Sequence, residues 1–458
     1  MTDTSASTSA EQGKIDPVFL NDLADAVDER DIRWLARTLK RMHPADAADA
    51  LEALNYDTFE EAVELLGGEL PPEILIELRD SYREDAVDML PDQAVAQALD
   101  ELDSDDATTI LEDLEDDRRE RILEDLAPVD RAELKRSLGY EEETAGRLMQ
   151  TEFVAVPEFW TVGQAIDHAR ALGTELPEVF HEIYVIDPAH RLLGIVPLAN
   201  LLRQPRQTPL EDIMNEPTMT LDTSTDQEDV AYQFQKYSLA SAPVTDTAGR
   251  LVGMITVDDM VDVMHSEHSE DLLALSNVSS ADASDTVFET VKARLPWLAI
   301  NLFTAFIASA IISVFEGAIE EVVALAILMP VVAALGGNAG SQGLAVAVRA
   351  IASRQLDGAS ARRAILREFM AAAFNGLLIG VGVGLIALFW FADIGLALVI
   401  AFAMFGTFLW AGLSGILVPL GLKRLGADPA VASSVFVLTL TDVMAFFSFL
   451  GLATIVLL

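Results

Sequence analysis

A carboxylate inside a membrane-length apolar run is the residue of this chain that most needs a chemical explanation. Asp442 is the sole charged side chain between 431 and 458. An ionised acid at that depth costs roughly 3 kcal/mol even on lenient insertion scales. Acids that persist there face a water-filled path or a bundle interior, and they draw cations. The same run carries Ser433, Ser434, Thr439 and Thr441. Ser434, Leu438 and Asp442 are spaced four apart, which is one stripe of a helix. That stripe is a candidate path for a hydrated ion. A second polar set lies at Gly336-Gly337-Asn338-Ala339-Gly340-Ser341-Gln342, with Asn338 and Gln342 again four apart. Three glycines weaken a helix, and freed backbone groups in a membrane need protein or water partners. The segment is expected to be a broken or closely packed helix lining a pore. Tight packing of small residues is the plainer alternative. One acid per chain favours a homodimer. Two copies of Asp442 on a two-fold axis would hold one hydrated divalent cation, and magnesium keeps several waters while touching one or two carboxylates.

Five apolar segments must position these residues: 296–315, 322–348, 365–390, 395–422 and 431–458. Each meets or exceeds the ~20 residues that span a hydrocarbon core. Lys292 and Arg294 precede the first; Arg349, Arg354, Arg362, Arg363 and Arg367 lie between the second and third; Lys423 and Arg424 lie between the fourth and fifth. The alternate loops hold Glu316, Glu320, Glu321 and Asp393 without a base. By the positive-inside rule the N-terminal body is cytoplasmic and the C-terminus is outside, in a multi-pass plasma-membrane protein.

The net charge of the chain is −43, and it is unevenly placed: from Val291 onward there are eight acids and nine bases, so the first 290 residues hold 65 acids and 21 bases. A body this acidic repels nucleic-acid phosphates. Such surfaces keep proteins solvated at high salt, as in halophiles, and they attract divalent cations. There is no cysteine, which excludes disulfides and thiolate metal sites. The polar start, 1–15, reads as a disordered tail and not a signal peptide. No Ser/His/Asp set, phosphate-cradling glycine loop or histidine metal motif points to an enzyme. The six histidines lie in the acidic half without ligand spacing.

Residues 16–143 show short amphipathic stretches such as "ADAADALEAL" and "DDATTILEDL", with Asp and Pro at their starts. An α-helical superhelix of short helices is expected. Over 144–265 two similar units follow, each running Met, strand, helix, strand ending in Asp, turn, strand beginning Gly-apolar-apolar, helix. The duplicated α/β unit is similar to a tandem pair of CBS domains, carried by Pro243-Val244-x-Asp246, Gly249-Arg250-Leu251 and Gly253 to Asp259. In many such pairs Thr-x-x-Asp holds an adenine nucleotide. Thr256 and Asp259 match it, whereas the first unit has Pro197 and Asn200 there, so the resemblance implies at most one nucleotide site, ATP or another adenine nucleotide. Residues 266–292 form an acidic connecting helix, a plug or lever beside the spans of 293–458.

The order of parts, with "YEEETAGRLM", "GGNAGSQ" and "RLGADPAVASSVFVLTLTD", resembles the MgtE family of magnesium channels. The resemblance implies magnesium as both transported and regulatory ion, a homodimer, and a fold of helical N-domain, CBS pair, plug helix and all-α bundle of five spans. Asp442 matches the family's pore acid. Asp226, Glu228, Asp259, Asp262, Glu267, Glu270 and Asp271 match its regulatory metal positions, with Asp105 in the N-domain. The resemblance implies that these acids, bridged by magnesium, shut the pore, and that without it their repulsion opens it. Ser434-Val435 and Ala445 depart from the family's small residue, Pro and Gly at those points. A divalent transporter of broader choice, cobalt included, and a membrane-anchored adenine-nucleotide sensor are the alternative readings.

Overall fold

The computed structural model describes residues 15–173, 176, 179–276, 278, 287–356 and 359–458. The tail expected at 1–15 lies outside them save for its last residue, as does part of the connecting segment. The chain divides into two compact units, Met1–His265 and Ser266–Leu458.

The first unit opens with ten helices: α1 (Pro17–Asp28), α2 (Ile32–Leu39), α3 (Pro44–Glu52), α4 (Tyr56–Leu66), α5 (Pro72–Glu77), α6 (Asp80–Met89), α7 (Asp92–Glu101), α8 (Ser104–Glu112), α9 (Asp116–Asp125) and α10 (Pro128–Ser137). From α3 onward a twelve-residue repeat builds them. Leu54, Leu66, Leu78, Leu90, Leu102, Leu114, Leu126 and Leu138 fall twelve apart. So do Leu51, Val63, Leu75, Val87, Leu99, Leu111 and Leu123, each preceded by Ala or Ile, and these pairs are buried in one core. The repeated leucine ends each helix. Leu78, Leu90, Leu102 and Leu126 cap theirs in extended backbone and turn inward. Pro91 forces this on Leu90, because the residue before proline is barred from helix. Polar N-caps start the earlier helices: Asp31 accepts from the Trp34 amide at 3.1 Å and Asn55 from Thr58 at 3.0 Å. No single unit of two to three turns could bury its own apolar edge; stacking supplies the cover.

Next come α11 (Ala145–Leu148), β1 (Ala155–Pro157), α12 (Val162–Leu172), β2 (Glu182–Ile186), β3 (Leu192–Pro197), α13 (Leu198–Arg203), β4 (Leu221–Asp222), α14 (Gln227–Tyr237), β5 (Ser241–Thr245), β6 (Leu251–Thr256) and α15 (Val257–Leu275). The two sheets run β1-β2-β3 and β4-β5-β6, each with a parallel then an antiparallel pair. The repeated methionine has a structural role: the lead-in of each unit adds to the other unit's sheet. Gln150 exchanges both backbone bonds with Met254, and Asn215 with Ile195, each at 2.9 Å. Gly194 and Gly253 permit the approach. A Cβ on Gly253 would lie 2.7 Å from Met149 Sδ, and one on Gly194 3.1 Å from Met214 Sδ.

The second unit takes the last turns of α15, then α16 (Val287–Val314), α17 (Glu316–Glu321), α18 (Ala324–Ala352), α19 (Ala359–Phe391), α20 (Ile394–Arg424) and α21 (Pro429–Leu457). Five of these are long and apolar enough to cross a membrane: Thr290–Val314, Ala324–Ala352, Ser360–Phe391, Ile394–Arg424 and Pro429–Leu457. The expected class is thus observed: helical superhelix, duplicated α/β unit and five-helix bundle. Of the two forms expected at Gly336–Gln342, broken or closely packed, the structure has the second: α18 is helical throughout. With no water in the hydrocarbon core, leaving the helix would strand backbone donors, and that penalty outweighs the propensity lost at three glycines.

Candidate ion pathway and acidic cluster

In the membrane unit the glycines of α18 act by letting helices close up. A Cβ on Gly336 would lie 2.6 Å from Thr407 Cγ2 of α20, and one on Gly340 would lie 3.0 Å from both Val437 Cγ1 and Thr441 Cγ2 of α21. A Cβ on Gly337 would lie 3.6 Å from Cδ2 of Leu438, the middle residue of the Ser434–Leu438–Asp442 stripe. α18 therefore runs along the helix that carries the acid. On α21, Ser434 is buried and Asp442 and Thr439 are half-buried. Thr439 donates to the Val435 carbonyl at 2.6 Å and Thr441 to Leu438 at 2.9 Å, satisfying their hydroxyls within the helix. Asn338 and Gln342 are exposed on the single chain, and among the described residues no hydrogen bond joins either to Asp442. The two amides and the acid are thus on adjoining helices but do not form one contact set.

α15 meets the same bundle. Ala274 packs with Leu344 and Val348 of α18 and with Ala430 and Val437 of α21. One turn earlier, Asp271 is half-buried. Burial and the neighbouring Asp428 push its carboxyl above the usual range, against the pull of His268. Asp428 also caps α21, accepting from the Ala430 amide at 2.7 Å. Glu267 and Glu270 lie on the same helix, Glu270 exposed and Glu267 half-buried. Asp428 was not singled out from sequence, where it stood only within the longer motif that runs to Asp442; its place at the end of a basic loop, beside the last span, was the usable signal.

In the first unit, acids from two domains crowd together. Asp105 and Asp106 begin α8, and Asp259 begins α15. Burial, then Asp259 and Asp106, hold the Asp105 carboxyl well above the usual range. Asp106 is raised to about 7 by burial, Asp259, Asp103 and Glu77. Asp259 is raised to about 6, chiefly by burial, although Thr256 donates its hydroxyl to Asp259 Oδ2 at 2.6 Å. Glu77 is raised by burial and by Asp262, with His43 opposing. Among the described residues no basic side chain pairs with Asp105, Asp106 or Asp259, whereas Arg83 pairs with Asp113 at 2.6 Å and Arg118 with Asp92 at 2.9 Å. Burial first, and then the crowding of like charges, raises these carboxyls, and a cation among them would relieve the repulsion. Among the described residues no three acidic or histidine side chains are close enough to hold a bare metal ion. A hydrated one needs only one or two carboxylates directly. Asp106 and Glu77 were missed from sequence, since each looked like one more solvated acid on a helix.

A clasp holds α8 in place. The Ser104 hydroxyl donates to Glu152 Oε2 at 2.9 Å, and the Thr151 amide donates to Ser104 Oγ at 2.8 Å. The "TAGRLM" segment seats on the second α/β unit, with Ala145 N bonded to Thr225 O at 2.7 Å and Gly146 N to Thr223 O at 2.9 Å. Asp226 and Glu228 sit apart from the α8 cluster: Asp226 caps α14, accepting from the Glu228 amide at 2.9 Å, and both are exposed.

Residues 329–452 match the family profile described as a divalent cation transporter, 42–143 that of the MgtE intracellular N domain, and 145–206 and 210–266 that of the CBS domain. A magnesium transporter MgtE of Enterococcus faecalis is 34% identical over 71% of this chain and 72% of its own. One of Thermus thermophilus is 36% identical over 72% of this chain and 74% of its own. A solved structure, the cytosolic domain of the Mg2+ channel MgtE in complex with ATP, is 33% identical over 53% of this chain and 99% of its own, with a TM-score of 0.49. The chain belongs to the MgtE family of magnesium transporters.

Proposed function

We propose that this chain conducts magnesium across the plasma membrane and shuts when cytosolic magnesium is high. The observation that carries the reading is Asp442, held half-buried on α21 where α18 closes against it. A carboxylate there meets a hydrated cation through its waters, which favours an ion that sheds them reluctantly. Two chains contribute one Asp442 each, and the exposed Asn338 and Gln342 face the partner or the path, with Ser434 and Thr439 along it. The C-terminus lies outside, a reading that the basic loops support.

The domains divide the labour. Residues 16–143 and 144–265 form the sensor, 266–292 the connecting plug and 293–458 the pore. Magnesium between Asp105, Asp106 and Asp259 neutralises their repulsion and favours the packed sensor. Asp262, Asp226 and Glu228, with Glu267, Glu270 and Asp271 on the plug helix, supply further cation contacts. Asp271 and Asp428 hold a second ion at the foot of α21, where Ala274 already packs, so the plug helix stays seated while magnesium is abundant. Loss of magnesium restores the repulsion and shifts the population to the open packing. The Thr256 and Asp259 pair would hold an adenine nucleotide, and the metal and nucleotide roles compete for one carboxylate.

The test is magnesium entry into liposomes carrying the purified protein, read with an enclosed indicator, with the sensor face in chelator or in millimolar magnesium. Flux in chelator and little flux in magnesium is expected. Equal flux in both would remove the gating, and no flux in either would remove the channel.

A further inference from the structure

The helical N-domain holds a second charged site, of the opposite sign from everything around it. Of the 21 bases in the first 290 residues, five fall within 30–41: Arg30, Arg33, Arg37, Lys40 and Arg41. Arg30 pairs with Glu61 at 3.4 Å. Among the described residues no carboxylate pairs with the other four, although acids outnumber bases threefold in this half. Several other arginines of this unit have carboxylate partners: Arg79 with Glu52, Arg83 with Asp113, Arg118 with Asp92 and Arg147 with Glu112. Arg33, Arg37 and Lys40 share one face of α2 and its end. All three line a cleft of about 930 Å³ that is also lined by the Gly67–Glu69 turn, α5 and α7.

The walls of that cleft are chemically distinct. α2 and its C-cap supply three cations. Glu69 and Glu73 line the same cleft from other elements, while Glu101 is held by Gln97, which donates to it at 3.1 Å. Met42 and Ala94 add apolar lining. A simple anion would meet the bases but be repelled by the glutamates and by the surrounding charge. A simple cation would be repelled by α2. A magnesium-complexed polyphosphate suits both walls: its oxygens meet guanidinium and ammonium groups, and its metal, sharing phosphate and water ligands, meets a carboxylate. We propose that this cleft binds a magnesium-complexed organic polyphosphate such as a nucleoside triphosphate, at a site separate from Thr256 and Asp259. Its metal and phosphate requirements would let the N-domain report complexed magnesium, while the acid cluster at α8 reports the free ion.

The test is calorimetric titration of the full-length protein in detergent with tripolyphosphate and with adenosine triphosphate, each with magnesium and with chelator. The parent and Thr256→Ala should both bind the magnesium complexes. The combined Arg33→Gln, Arg37→Gln and Lys40→Gln variant should lose about tenfold or more in affinity; its changes are exposed, and an unchanged melting profile confirms the fold. Chelator should weaken binding to the parent. Glu69→Gln with Glu73→Gln should weaken binding in magnesium and strengthen it in chelator, a crossover that a plain basic patch would not give. Absence of binding to the parent, or equal binding by the α2 variant, would overturn the site. Stronger binding by the glutamate variant in magnesium as well would overturn the metal's share in it.

Discussion

Removing one acid from the α8 cluster should stabilise the sensor and deafen it at once. Asp106 is half-buried and its carboxyl is held up to about 7, against an ordinary 3.8. A gap of about three pH units corresponds to ~4 kcal/mol against the ionised form. Its neighbours titrate with it and one side faces water, so about half of that, ~2 kcal/mol, is the expected release on losing the charge. Asp106→Asn keeps the shape and removes the charge. In chelator at pH 8, the unit spanning residues 15–265 should therefore melt about 4–8 °C higher than the parent. The same change removes a contact for the cation, so the further rise on adding magnesium should shrink to half of the parent's or less. Thermal melts followed by circular dichroism, with chelator and with magnesium, give both numbers. A variant that melts below the parent in chelator, or that gains as much from magnesium, would refute the claim that repulsion among these acids is what magnesium relieves.

Protons should imitate magnesium here. Asp259 and Asp106 have raised carboxyl pKa values, so the stability they contribute is full below the ordinary 3.8 and is lost as pH rises through about 6 and about 7. In chelator the first unit should melt higher at pH 5.5 than at pH 8, and the Asp106→Asn, Asp259→Asn double variant should show little of that difference. Asp271→Asn should leave flux in chelator intact but keep the pore conducting at a magnesium level that shuts the parent, read in the same liposome assay. Gly340→Val should push α18 from α21, since even a Cβ would lie 3.0 Å from Val437 and Thr441. Overpacking of this kind costs about 1–3 kcal/mol, and a lower melting point in detergent with reduced flux is expected. Leu111→Ala, at a fully buried position of the twelve-residue repeat, should cost about 2–5 kcal/mol in denaturant unfolding of the first unit.

What could be read from sequence followed the strength of the physical signal. The five spans were legible because a hydrocarbon core demands about twenty apolar residues without interruption, and Asp442 stood out against that background. The paired α/β units were legible because the same Met, Asp-turn and Gly positions recur in both. The twelve-residue repeat was not seen. Its helices are too short to show helical periodicity over several turns, and its leucines mark the helix ends, where a pattern based on helical spacing does not look. The glycines at 336, 337 and 340 left a broken and a closely packed helix both open, because sequence sets the lost propensity against the backbone's need for partners in lipid without weighing them; the intact, tightly packed α18 shows that the second effect is larger. Asp106, Glu77 and Asp428 escaped because an acid among 73 acids carries no local mark. Only the fold brings α8 to Asp259, and α15 to the foot of α21.

The central claim is that Asp442 is the ion's contact inside the membrane. Magnesium entry should be measured into liposomes that hold equal amounts of the parent or of Asp442→Asn, with the sensor face in chelator so that the gate is not limiting. Flux through the parent and none above empty liposomes through the variant is the predicted result. Equal flux through both would contradict it.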